Sequence, residues 1–106
     1  MLPGYSSLRE IRLLQNGIRP EGVLVLTDAL KTLVDLEWID FEDNTLTAKA
    51  GLPFAEALPS WTKLKKLNLG DCLLGNKTVV AIAEKLKDNF ADLVGAFSFF
   101  LFYFVC

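Results

Sequence analysis

Three segments of this chain carry the same arrangement of apolar and polar positions. In the first, Leu8, Ile11, Leu13 and Ile18 are apolar at positions one, four, six and eleven. The set returns as Leu36, Ile39, Phe41 and Leu46, then as Leu64, Leu67, Leu69 and Leu74, each 28 residues after the last. Apolar residues two apart, as at Ile11 and Leu13, predict a short strand with one buried face. A second pattern follows each strand. Val23, Leu26, Thr27, Leu30 and Leu33 recur as Gly51, Phe54, Ala55, Leu58 and Trp61, and once more as Val79, Ile82, Ala83, Leu86 and Asn89. Their offsets of 0, 3, 4, 7 and 10 trace one face of a helix. Pro20 suits an early helical position, and Pro59 ends the second helix.

The ninth position of the strand motif holds Asn16, Asn44 and Cys72. Written out, the motif is L-x-x-L-x-L-x-x-N/C-x-L, the leucine-rich-repeat signature. The expected fold is α/β: a right-handed solenoid of about three 28-residue repeats, with parallel strands on the concave face and helices on the convex face. Asn16, Asn44 and Cys72 are expected to form a structural ladder at the turns. An inward amide there satisfies backbone groups that would otherwise be buried unpaired, and Cys72 fills the same place as a small buried hydrophobe.

Two regions follow from the frame. Residues 1–91 read as a partial repeat array without caps, since Met1-Leu2-Pro3 falls in frame with the helix ends Ala29-Leu30-Lys31 and Ala57-Leu58-Pro59. Residues 92–106 break the period and form an apolar aromatic tail. Leu93 to Cys106 is uncharged but shorter than the ~18 residues of a membrane span. It is expected to be non-native sequence or an apolar plug on the last repeat, without a function; attachment to a membrane is the weaker alternative.

Composition removes several classes of chemistry. The chain of 106 residues has no histidine, which excludes Ser-His-Asp and Cys-His nucleophiles and His-ligated metal sites. A net charge of −2 and a pI near 5.0 argue against nucleic acid as a partner. No phosphate-cradling loop and no C-x-x-C pair occurs. No cofactor, metal or small-molecule substrate is expected, and no enzymatic site of its own. Met1 to Ser7 carry no signal-like pattern, and two cysteines make no disulfide framework, so a reducing intracellular compartment and a monomer are expected.

The variable strand positions are the candidates for contact with a partner. They are Glu10, Arg12 and Leu14, then Trp38, Asp40 and Glu42, then Lys66, Asn68 and Gly70; Gln15, Asp43 and Asp71 stand just before the turns. Stacked copies would gather Asp40, Glu42, Asp43 and Asp71 near one rim. Trp38 among charged neighbours has the character of a binding anchor.

The identities inside the repeats carry a resemblance. Gln15-Asn16-Gly17-Ile18-Arg19-Pro20-Glu21-Gly22, Asp43-Asn44-Thr45-Leu46-Thr47 and Asp71-Cys72-Leu73-Leu74 resemble consecutive repeats of the Ran GTPase-activating proteins. Ala55-Glu56-Ala57-Leu58, Ser60-Trp61 and Leu64 are similar to the segment between them. The resemblance covers about residues 1–90 and implies a central fragment of such a protein. It implies a partner, the small GTPase Ran in its GTP form, whose hydrolysis is accelerated by ordering Ran's own glutamine, and a cytoplasmic place, the nuclear periphery included, in nucleocytoplasmic transport. Gln15, Arg19, Glu42, Asp43 and Asp71 would lie at or near the Ran-facing rim. No residue here matches the asparagine credited with positioning that glutamine, so no catalytic residue carries over and impaired activity is expected. The alternative is a generic leucine-rich-repeat interaction module without GTPase activation, using Trp38 and the acidic cluster.

Overall fold

The computed structural model describes residues 8–13 and 16–89. Strand β1 (Glu10–Arg12) leads to helix α1 (Pro20–Leu30), β2 (Trp38–Asp40) to α2 (Thr47–Ala57), and β3 (Lys66–Asn68) to α3 (Gly75–Asn89). The strands form one parallel sheet in the order β1-β2-β3. Ile11 stands opposite Ile39, and Ile39 opposite Leu67. Register between neighbouring strands is therefore the repeat length itself. Each βα unit stacks on the equivalent part of the next, α1 on α2 and α2 on α3.

Local chemistry sets the element ends. Pro20 is the first residue of α1, where a fixed φ and a missing N–H cost nothing. Helix α2 tightens into a 3₁₀ turn at Leu58–Ser60, around Pro59. Asp43 and Asp71, equivalent residues of successive repeats, have φ of 61° and 54°, a region that Asp tolerates better than branched residues. At Gly51 the missing side chain matters most, because a Cβ would collide with the Thr78 methyl of α3.

The motif residues make the core. Leu36, Ile39, Phe41, Leu46, Leu64, Leu67, Leu69 and Leu74 are at most 2% exposed. The helix-face residues Val23, Leu30, Phe54, Leu58, Trp61, Ile82 and Leu86 close over them. Phe54 packs edge-on to Phe41 with ring centroids 5.8 Å apart and tilted on Trp61 at 5.4 Å. The buried Trp61 indole donates to the Leu30 carbonyl at 2.8 Å, so one side chain fills the core and satisfies the C-terminal turn of α1. The apolar tail of residues 92–106 lies outside the described residues.

The turns are stitched by side chains. Asn44 is buried; its Oδ1 accepts from the Ile18 N–H at 3.0 Å, and its Nδ2 donates to the carbonyls of Leu13 and, at 3.0 Å, Phe41. One amide thus joins its own turn to the turn of the repeat before it. Cys72 repeats half of this arrangement: its Sγ donates to the Phe41 carbonyl at 3.1 Å, and the Leu46 N–H turns to the Cys72 carbonyl. Asn16, expected in the same ladder, is exposed instead. Among the described residues no backbone group bonds to the Asn16 side chain.

Replacing Asn44 with Leu strands the Ile18 N–H and the Leu13 carbonyl, and urea unfolding is expected to register a loss of about 3 kcal/mol. Asn16→Ala is expected to stay within about 0.5 kcal/mol of the parent chain.

Candidate partner-binding surface

The outward strand positions form ordered rows. Glu10, Trp38 and Lys66 stand side by side, and Arg12, Asp40 and Asn68 form the next row. Parallel stacking at a 28-residue shift makes every such row a set of equivalent residues from successive repeats. Opposite charges at equivalent positions therefore meet.

They do so repeatedly. Glu37 lies between Arg9, at 3.5 Å, and Lys65, at 3.0 Å. Glu21 pairs with Lys49 and Asp35 with Lys63, both at 2.7 Å. The Lys65 hydrogen bond, then the charges of Lys65 and Arg9, hold the Glu37 carboxyl below its ordinary range. The Lys49 hydrogen bond does the same first of all for Glu21. Such exposed pairs are individually weak; their effect is to choose register and to shape the surface charge. The spacing of 28 residues between these opposite charges is itself a signal in the sequence.

Trp38 sits half-buried in the middle of this surface. The Arg12 guanidinium carbon and the Lys66 ammonium each lie 4.5 Å from its ring centroid, within the range of cation–π attraction. A cavity of about 220 Å³ opens beside the ring, lined by Glu10, Glu37, Trp38, Lys65 and Lys66. The immediate company of Trp38 is thus cationic. The acidic residues expected near one rim differ in their surroundings.

Asp40 is buried at 5% exposure, and its Oδ1 accepts from the Glu42 N–H at 3.1 Å. Asn68 performs the same turn one repeat later, accepting from the Gly70 N–H at 2.9 Å. A carboxylate in this position works as a turn former. Glu42 is half-buried near Gly70. Asp43 and Asp71 are exposed at the turns, with the Asp43 N–H bonded to the Gly70 carbonyl at 2.9 Å. Arg19 is exposed as the residue capping α1, without a side-chain cap bond. Gln15 lies outside the described residues. The surface therefore divides into a cationic strand face around Trp38 and an acidic turn edge at Asp43 and Asp71.

The remaining candidate chemistry is quiet. Cys72 is buried and free, and burial pushes its thiol up from 9.0 to about 11. No group among the described residues has the spacing to hold a metal ion, and no described helix is long and apolar enough to cross a membrane.

Parallel βα units with the signature leucines buried and Asn44 and Cys72 at the turns make this an α/β fold compatible with a leucine-rich-repeat array. No family model matches the chain. It is 51% identical over 85 residues to Ran GTPase-activating protein 1 of Saccharomyces cerevisiae, an alignment covering 76% of this chain and 21% of that protein. The matched segment belongs to the Ran GTPase-activating protein family. The chain spans about a fifth of its relative's length, 21%.

The raised thiol pKa has two measurable consequences. In a Cys106→Ser background, alkylation of native Cys72 at pH 8 is expected to run about a hundredfold slower than in urea, from the two-unit rise in pKa alone. The protonated thiol is favoured by folding, so its contribution is complete below the ordinary value of 9.0 and lost as pH rises toward about 11. Loss of stability over that window, smaller in Cys72→Ala, checks the assignment.

Proposed function

We propose that this chain is part of an activator of the small GTPase Ran, engaging Ran in its GTP form in nucleocytoplasmic transport. The observation that carries this reading is the 51% identity over 85 residues to yeast Ran GTPase-activating protein 1. The right-handed solenoid, strands concave and helices convex, is the form of array that the parallel βα stacking supports. In this reading the contact edge holds Gln15, Arg19, Glu42, Asp43 and Asp71. Asp43 and Asp71 are exposed on turns tied to neighbouring backbone, which favours a preorganised edge.

The chain acts as a regulator of a GTPase and has no hydrolytic site of its own. Stimulation would come from ordering Ran's catalytic groups and the charge at its γ-phosphate. No side chain here is assigned to that positioning, so the segment supplies binding surface and only impaired stimulation. It works as a monomer in the cytoplasm, including the nuclear periphery.

A second reading, an interaction module without GTPase activation, is favoured by the half-buried Trp38 held between Arg12 and Lys66. The two separate in one pair of measurements: Ran·GTP binding, and single-turnover GTP hydrolysis with and without the chain. Saturable binding is expected, weakened about tenfold or more by the double reversal Asp43→Lys, Asp71→Lys. Absence of both binding and stimulation at about 100 µM, an affinity limit near −5.5 kcal/mol, leaves the second reading. In that case Trp38→Ala is expected to cost about 2 kcal/mol of binding to the module's partner.

A further inference from the structure

The most developed unassigned feature is the cavity beside Trp38. Its size decides the kind of occupant: about 220 Å³ falls below the roughly 300–1,000 Å³ of small-molecule pockets. It suits one side chain of a partner.

Its charge decides the chemistry. In the cavity lining Glu10 and Glu37 balance Lys65 and Lys66, and Arg12 over the ring adds one positive charge, in a chain of net −2. The two carboxylates do not neutralise the cations evenly. Glu37 is occupied by Arg9 and Lys65, whereas Arg12 and Lys66 form no ion pair among the described residues. Asp40, next to Arg12 in the strand rows, is buried and already accepts the Glu42 N–H. Arg12 and Lys66 are held against the indole, with donors left over. A cationic side chain would meet two like charges there.

We propose that the Trp38 cavity is a docking point for an acidic protein segment: a glutamate or aspartate lays its methylenes on the indole edge and its carboxylate between Lys66 and Arg12. The site is opposite in sign to the acidic turn edge, and it does not depend on the identity of the GTPase. It gives the surface two poles, so a partner carrying both an acidic and a basic patch is oriented as well as bound.

The test is a titration of the ¹⁵N-labelled 106-residue chain with a short polyglutamate peptide, followed at the Trp38 indole N–H resonance. A saturable shift is expected, with none from polyglutamine of equal length. Lys66→Glu is expected to weaken binding at least about tenfold with the thermal unfolding midpoint unchanged, because Lys66 is exposed; Arg12→Gln weakens it in the same sense. Equal shifts from polyglutamine, or an affinity untouched by Lys66→Glu, overturn the proposal. Saturation by inorganic phosphate at the same concentration also overturns it, in favour of a general anion site.

Discussion

The Asn44 side chain is the interaction on which the stacking of the first two repeats depends. Strands three residues long supply few ladder bonds, and the turn after each strand leaves backbone groups that must be satisfied as the next repeat covers them. A single amide meets that need because it is donor and acceptor at once, reaching the Ile18 N–H on one side and the Leu13 and Phe41 carbonyls on the other. The Cys72 thiol donates to the Phe41 carbonyl but is a poor acceptor, and the Leu46 N–H bonds to the Cys72 backbone carbonyl instead. The substitution of thiol for amide is accommodated by moving one bond from side chain to main chain.

The same register governs the surface. A parallel sheet shifted by one repeat length makes equivalent residues neighbours, so the charge at one position is read against the charge 28 residues away. Arg9, Glu37 and Lys65 alternate in sign and pair; Glu21 with Lys49 and Asp35 with Lys63 do likewise. Where the alternation fails, at Glu10, Trp38 and Lys66, an aromatic ring takes the middle place and the cations remain available. Surface pairing and surface recognition are two outcomes of one geometric rule.

Much of this architecture was legible along the chain. The apolar positions and their two periods located the three strands and three α-helices of the described residues, because burial on one face is a local constraint written into residue spacing. Pro20 and Pro59 marked helix boundaries for equally local reasons. The candidate surface was legible in part: side-chain direction alternates along a strand, so Glu10, Trp38 and Lys66 fall in one row. Their company was not. Asp40 reads as a free carboxylate in sequence and proves to be a buried turn former.

The sequence by itself determined the repeat, the core and, through the identities between the leucines, the family. Tertiary structure decided which equivalent residues do equivalent work. Asn16 and Asn44 share a motif position, yet Asn16 is exposed and Asn44 is buried, because a hydrogen-bonding role belongs to the partner backbone as much as to the side chain. Trp38 likewise acquired Arg12 and Lys66 as neighbours from two other repeats. Contacts between residues 26 and 28 positions apart arise only when the chain stacks, and with them arises the division of the surface into a cationic face and an acidic edge.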